Sequence, residues 1–262
     1  MVDSGLLLQF QVFLLVLARV FGMLVLTPFF SSLVIPFRVR ALLAFFVALI
    51  MVTLALGAAA GAIKPELSVL PFILQLVGEL FVGMTIGFIV AVYFAAFSFA
   101  AELFSVQMGL SITMVFDPQA QIEVPVIGQL FSLFAVLVFI GVGAHHHVLN
   151  GIWSTYTSLP VLEISRASGP FAQGVAAAFV AMFSAALKIA LPIISVAFLI
   201  SLSMGILGKT APQLNLLMLG FPIQILVGLT VMLACLPFIF RFMGAVISQS
   251  VQFAMRVMGV TA

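Results

Sequence analysis

The strongest constraint on this chain is a set of apolar runs that are long enough to cross a membrane as helices. The first extends from Leu6 to Pro28, and the second, from Ala41 to Ala62, contains no charged residue. A third region, from Val124 to Leu162, also carries no formal charge. Because about 20 apolar residues in a helix span a hydrocarbon core of about 30 Å, these runs predict an integral membrane protein.

The composition excludes other broad classes of protein. Of 262 residues, 65% are hydrophobic and 6% are charged, whereas soluble domains are typically about 25% charged. A freely soluble monomer is therefore excluded. Intrinsic disorder is excluded too, because it requires low hydrophobicity and high charge. The nine basic residues form no block that could hold a phosphate backbone, so no nucleic-acid partner is expected.

The continuity of the apolar runs favours helices over a membrane barrel, whose strands alternate in polarity over about 10 residues. The predicted fold is all-α and membrane-associated, with six to eight helical segments. The first run is expected to be a retained anchor, because Asp3 precedes it and no small-x-small cleavage site follows it. One domain over residues 1–262 is expected, with N-terminal helices and a loop over about 1–125 and C-terminal helical hairpins over about 126–262.

Several interruptions are predicted in the second half of the chain. Glu163 to Pro170 is interpreted as a polar link that precedes two separate apolar segments, Phe171 to Leu191 and Pro192 to Leu207. The next apolar run, Leu214 to Phe240, is expected to be cut by glycine and proline near its start. The tail, Arg241 to Ala262, mixes apolar with polar residues and predicts an amphipathic helix on a surface.

The basic residues give no membrane orientation. Cytoplasmic loops of membrane proteins normally carry an excess of lysine and arginine. Here the basic residues outside the apolar runs are spread over successive links without alternation, which indicates that the final position of the chain depends on partners. These residues include Arg38, Arg40, Lys64, Arg166, Lys209 and Arg241.

No pattern predicts an enzyme, a cofactor or a metal. The sequence lacks the common zinc-protease, nucleophile-elbow and phosphate-loop motifs. His145 to His147 are adjacent, and neighbours on a helix point about 100° apart, so an interfacial polar break is favoured over a metal site. Trp153 and Tyr156 fit such an interface. The one cysteine, Cys235, is interpreted as a small core residue.

Four charged residues lie inside apolar runs: Arg19, Glu79, Glu102 and Lys188. A charge at mid-membrane costs about 3 kcal/mol on insertion scales, so such residues normally pair or line a wet path. Structural pairing is one reading, for example of Lys188 with Glu79 or Glu102. The alternative is a proton or ion relay, as in a small-solute secondary transporter.

Glycine and proline mark two further features. Gly83 and Gly87 form a G-x-x-x-G pattern, which lets helices approach closely, either for simple packing or for a specific dimer. Gln107 to Pro125 is richer in polar residues, glycine and proline than its surroundings, and Gly109 and Pro118 argue against one straight helix. Irregular backbone at membrane depth occurs only inside protein or beside water. This segment is therefore either an exposed loop or a re-entrant element that lines a cavity.

Two long signatures give the chain a family resemblance. The first begins at Ala101-Glu102-Leu103 and resembles the central signature of the FliR/SpaR/YscT family of type III secretion export gate subunits. The second signature contains Gly-Phe-Pro-Ile, a form that resembles the flagellar members of the family. The family also includes the homologous T subunits of injectisomes. The first signature includes Gln107, Met108, Gly109, Leu110, Ser111, Phe116, Asp117 and Pro118, and the other includes Ala211, Pro212, Gln213, Leu214, Asn215, Gly220, Phe221 and Pro222.

The resemblance implies a subunit of the flagellar protein export gate in the bacterial inner membrane, within the flagellar basal body. The subunit would form, with FliP and FliQ, the channel for unfolded flagellar proteins, and would contact FlhB-like and FlhA-like proteins. Its fold would join a FliP-like part to a FliQ-like part, with energy supplied by partners. A re-entrant loop would plug the closed pore, with Met108, Met114 and Phe116 foremost. The implied plug residues are Gln107, Met108, Gly109, Leu110, Ser111, Ile112, Thr113, Met114, Val115, Phe116, Asp117 and Pro118.

Overall fold

The computed structural model describes residues 4–31, 35–58, 65, 68–110, 126–158, 164–210 and 216–259. All regular secondary structure within these residues is helical, which confirms the predicted all-α fold class. Seven helices occur there, within the predicted range of six to eight. They are α1 (Ser4–Leu26), α2 (Phe37–Ala58), α3 (Val69–Gln107), α4 (Val126–Gly141), α5 (Ala144–Ser158), α6 (Ile164–Thr210) and α7 (Leu216–Val257).

The predicted interruptions in the second half of the chain are wrong. Helix α6 begins inside the polar link, at Ile164, and runs without a break through the rest of it and through the junction between the two expected apolar segments. Helix α7 likewise continues through Pro222 and Pro237. Both results have the same physical reason, since a helix satisfies its own backbone hydrogen bonds, and apolar surroundings offer no substitute partner to a chain that leaves the helix.

The tail is not a separate helix on a surface. Its residues up to Val257 continue α7, and one side of this part is buried, including Val246, Ile247 and Ala254. Ser250, which gave the tail part of its polar character, is also buried and donates a hydrogen bond to the carbonyl of Ile247 at 2.7 Å. A hydroxyl that bonds within its own helix can be buried at little cost.

Four helices in the described part of the chain are long and apolar enough to cross a membrane. They are α1 and the long helices α3, α6 and α7. A bent pair, α4 and α5, could form a fifth span, with a bend of 66° at its break. At 1.5 Å per residue, the 39 residues of α3 extend about 58 Å, nearly twice the thickness of a hydrocarbon core.

The chain divides into two compact units, and each contains residues from both sides of position 125. The first unit comprises residues 1–93, 140–179 and 247–262. The second comprises residues 94–139 and 180–246. Helices α3, α4, α6 and α7 each contribute residues to both units.

Glycine lets α1 and α3 cross in direct backbone contact in the first unit. A β-carbon at Gly83 would lie only 1.9 Å from the backbone oxygen of Arg19, and one at Gly87 would lie 2.6 Å from that of Met23. On the facing helix, a β-carbon at Gly22 would lie 2.4 Å from the backbone oxygen of Leu80. These distances confirm that the G-x-x-x-G pattern serves close helix packing.

Phenylalanine fills the core of the second unit. Phe97, Phe104, Phe131 and Phe139 are fully buried. The ring centres of Phe104 and Phe131 lie 5.4 Å apart in an edge-to-face arrangement, and Phe94 contacts Phe139 in the same way at 5.5 Å. Such pairs add about 0.5–1.5 kcal/mol to the burial of their area, so they fix α3 against α4.

Candidate functional site

A buried ion pair joins α1 to α3 in the first unit. Arg19 is 1% exposed, Glu79 is fully buried, and the Arg19 Nε atom donates to Glu79 Oε2. The glycine crossing described above brings these helices together at this level, because the backbone of Arg19 itself faces Gly83. The structure thus gives Glu79 a basic partner on α1 rather than the suggested Lys188. The pair enters the apolar interior with no net charge.

Helix α5 completes the surroundings of the arginine. Arg19 Nη1 donates to Thr155 Oγ1 at 2.7 Å, and Thr155 Oγ1 donates in turn to the carbonyl of Ile152 at 2.6 Å. The ring of Tyr156 lies over the guanidinium, 4.0 Å from Cζ to the ring centre. Its hydroxyl donates to the carbonyl of Val16 at 3.4 Å. The guanidinium therefore has a carboxylate, a hydroxyl and an aromatic face around it.

The sequence pointed to Arg19 and Glu79 but missed Thr155 and placed Tyr156 at a membrane interface. Tyr156 is instead 5% exposed within the unit. Glu79 Oε1 is buried and, among the described residues, has no hydrogen-bond partner. The cluster is consequently held on one carboxylate oxygen, while the other retains capacity for a proton or a water molecule.

The other two charges in apolar runs lie in the second unit and differ from this pair. Glu102 is half-buried, and no salt bridge to it is present among the residues that the structure covers. Lys188 is exposed, and its Nζ lies 6.0 Å from the centre of the Phe242 ring. Within the described part of the second unit, Glu102 and Lys188 form no salt bridge with each other, and they sit where another molecule could reach them.

The described part of the first signature is the carboxyl end of α3. Gly109 has a φ of +78° in the left-handed region, and its amide donates to the carbonyl of Val106 at 3.0 Å. The amide of Leu110 donates to the carbonyl of Ser105, also at 3.0 Å. This pair of bonds is a Schellman motif, for which glycine is favoured because a β-carbon strains the left-handed conformation.

The turn at the end of α3 packs against two residues of α7, Gly228 and Phe221. The side chain of Met108 is fully buried and lies against Gly228, where an added β-carbon would meet Met108 Cγ at 2.7 Å. Gly109 faces the ring of Phe221, and a β-carbon added at Gly109 would lie 2.8 Å from Phe221 Cδ1. Phe221 belongs to the second signature, so the two signatures meet at this point.

One polar side chain, which the sequence did not single out, crosses the same junction. Gln224 Nε2 donates to the carbonyl of Gln107 at 2.7 Å and to Ser201 Oγ at 2.9 Å. It also lies 3.4 Å from the carbonyl of Ala197, which Ser201 Oγ contacts at 3.1 Å. A lone glutamine in an apolar run was the available signal, because a buried amide needs partners.

The remaining predicted residues fall largely outside the structure's coverage. Of the plug segment, Gln107, Met108, Gly109 and Leu110 are described. Gly220, Phe221 and Pro222 of the second signature lie in the first turns of α7. No group of three or more potential metal ligands occurs within the residues that the structure describes. Residues outside the described ranges are Ser111, Ile112, Thr113, Met114, Val115, Phe116, Asp117 and Pro118 of the plug, and Ala211, Pro212, Gln213, Leu214 and Asn215 of the second signature.

Comparison with known proteins gives a consistent set of relatives. Residues 10–250 match the family model described as bacterial export proteins, family 1. The flagellar biosynthetic protein FliR of Bacillus subtilis (strain 168) is 32% identical over 245 residues, which cover 93% of each chain. FliR of Escherichia coli (strain K12) is 29% identical over 226 residues, 86% of this chain and 84% of that protein.

A secretion protein outside the flagellum is also similar. The secretion system apparatus protein SsaT of Salmonella typhimurium (strain LT2) is 27% identical over 161 residues, 62% of each chain. The flagellar relatives named above cover more of this chain, and at higher identity. The family match over residues 10–250 spans both the buried ion pair and the junction of α3 with α7.

Proposed function

This chain belongs to the bacterial export proteins of family 1, and we propose that it is a subunit of the flagellar type III protein export gate in the inner membrane. The observation that carries the proposal is the similarity to flagellar FliR over 93% of both chains. The four apolar helices long enough to cross a membrane support a membrane-embedded role. The chain would act as part of a protein channel in the basal body rather than as an enzyme.

The uncovered faces of α6 and α7 support a channel made with partners. Only 22% of the most apolar window of α6 and 17% of that of α7 are buried within the chain, against 56% for α3. We propose that FliP-like and FliQ-like subunits cover these faces, and that FlhB-like and FlhA-like proteins join the assembly. Unfolded export substrates would pass along its axis, and the partners would supply the energy.

We also propose that Gln107 to Pro118 plugs the closed pore. The first residues of this segment, which the structure describes, support an anchored plug, because the side chain of Met108 is buried against α7. Apolar residues further along the segment, with Met114 and Phe116 foremost, would therefore seal the pore. Displacement during export requires the plug to be weakly held, on the order of a few kcal/mol.

Ion leak through the assembled complex tests the plug. Ile112 to Phe116 are replaced by a glycine–serine sequence of equal length, so that the flanking residues keep their spacing. The matched control replaces residues 59–63, between α2 and α3, in the same way. The plug predicts increased conductance in reconstituted vesicles for the first variant and no increase for the control.

Two results would contradict the proposal at different levels. A normal leak in the first variant, with the complex intact, would exclude the plug and leave the export role standing. Failure of the chain to restore motility to a strain that lacks its flagellar FliR would contradict the flagellar role. Restored secretion by an injectisome that lacks SsaT would then assign the chain to the virulence apparatus.

A further inference from the structure

We propose that Gln224 is a positioning residue that clasps the end of α3 to α6 and α7. The clasp consists of Gln224 with its acceptors Gln107 and Ser201, and it fixes the turn that ends at Leu110. Its consequence for gating rests on the proposed plug, because the clasp sets where that segment begins. The contacts themselves lie entirely within the described part of the second unit.

Both hydrogens on the amide nitrogen of Gln224 have acceptors, which supports this role. A glutamine amide nitrogen carries two hydrogens. One reaches the Gln107 carbonyl at 2.7 Å and the other reaches Ser201 Oγ at 2.9 Å, so both donors are used. The longer approach to Ala197 is shared with Ser201, whose hydroxyl contacts the same carbonyl. A single side chain on α7 thereby connects α3 and α6.

The acceptor at Gln107 makes the clasp specific for this turn. The last four carbonyls of a helix have no partner within the helix. The Schellman bonds occupy the carbonyls of Val106 and Ser105, and the amide of Met108 bonds that of Phe104. Gln224 supplies the bond to the next carbonyl in this series, that of Gln107. Without Gln224, that half-buried carbonyl would lose its donor.

Packing on either side of the amide holds the turn in the same place. Met108 packs against Gly228 one turn further along α7, and Gly109 packs against Phe221 nearly one turn before. Gln224 lies between Phe221 and Gly228 on the same helix, so the three contacts follow one face of α7. The turn is fixed by one polar contact flanked by two apolar ones.

Hydrogen exchange at the amides of Met108, Gly109 and Leu110 measures whether the clasp holds. The Gln224→Met substitution keeps the length and apolar stem but removes both donors. We expect these amides to exchange about fivefold faster, the factor that corresponds to the loss of the one hydrogen bond that holds the Gln107 carbonyl. The exchange is measured on the chain within the complex with which it co-purifies. The matched control is Gln249→Met, at an exposed position of the same helix, which should leave the exchange unchanged.

Unchanged exchange in Gln224→Met would overturn the clasp. If that variant does not accumulate, Ser201→Ala decides, because this exposed serine can be lost without a cavity and its removal frees one donor. About twofold faster exchange supports the clasp, and unchanged exchange overturns it. Ion leak, recorded on the same samples, tests the plug separately. Faster exchange without leak would keep the clasp and show that it does not control the seal.

Discussion

At the scale of single residues, Arg19 illustrates what a charge inside an apolar helix requires. Its guanidinium meets Glu79 from α3 and both Thr155 and Tyr156 from α5. The partners come from helices far apart in the sequence, and the pair is almost inaccessible. A buried ion pair of this kind costs desolvation energy, and its clearest effect appears when one partner is removed.

We therefore predict that Arg19→Met and Glu79→Leu each destabilise the chain by about 3–5 kcal/mol, because each leaves one uncompensated buried charge. The double substitution should destabilise it less than either single one, since it replaces the pair with apolar groups. Thermal unfolding in detergent, followed by size-exclusion chromatography, measures the three variants.

Lys188→Met is the control for the loss of a basic residue, because Lys188 is exposed within the chain and should tolerate the change. A double variant that is less stable than both single ones would contradict a merely structural pair. Motility of cells that carry the double variant tests the relay alternative. Export that continues without either charge would exclude Arg19 and Glu79 from proton conduction.

The scarcity of charge made these residues predictable as a set, but not their pairing. A mid-membrane charge needs a partner, which singles out Arg19, Glu79, Glu102 and Lys188 from their places inside apolar runs. Which acid meets which base depends on the crossing of α1 and α3, 60 residues apart at this point. Gln224 stands out as a lone glutamine in an apolar run, but its acceptor does not. That acceptor is the backbone carbonyl of Gln107, and because every residue has such a carbonyl, nothing in the sequence identifies the partner in advance.

At the scale of elements, the crossing of α1 and α3 depends on the absence of side chains at its centre. We predict that Gly83→Ala destabilises the first unit by about 1–3 kcal/mol, as overpacking does. The new β-carbon would meet the backbone oxygen of Arg19 at 1.9 Å, and a backbone atom cannot rotate away. The same movement would pull Arg19 from Glu79. Thermal unfolding of the purified chain measures the loss.

Gly205→Ala is the matched control on α6, where an added β-carbon meets nothing within 4 Å. Alanine favours a helix by about 0.5–1 kcal/mol over glycine, so this variant should be as stable as the parent or more so. Equal destabilisation by the two substitutions would show that the effect at Gly83 does not depend on the crossing.

Helix type was predictable from the apolar runs, whereas helix ends in the second half were not. Glycine, proline and polar residues mark breaks in water, where the freed backbone groups find solvent. In α6 and α7 they lie within helices of 47 and 42 residues. Proline at position 222 removes one donor and still leaves the helix intact, because it lies within the first two turns of α7 and a long apolar run follows it.

At the scale of the whole molecule, the apolar surface of α6 and α7 exceeds what the chain itself covers. Val180 is 71% exposed and Leu226 is 68% exposed, although both are apolar. The sequence predicted dependence on partners from the scattered basic residues. It could not assign this surface to lipid or to protein, because both favour the same residue types.

Glutamine substitutions on this surface separate the two. We predict that Val180→Gln combined with Leu226→Gln leaves accumulation of the chain near normal and reduces co-purification with FliP-like and FliQ-like subunits. Each apolar side chain that is buried in an interface contributes about 1.5–3 kcal/mol, so losing two weakens assembly by a factor of ten or more, on the order of a few kcal/mol. The measurement is the yield of the complex against the yield of the chain.

The control places the same change in the core, at Ile193, which is fully buried in the second unit. Ile193→Gln should lower accumulation of the chain itself, because it buries an amide without partners. If the surface variant assembles as well as the parent, then lipid and not a partner covers these faces. The proposed channel would in that case have to use other surfaces of the chain, since neither α6 nor α7 would contribute its apolar face to the assembly.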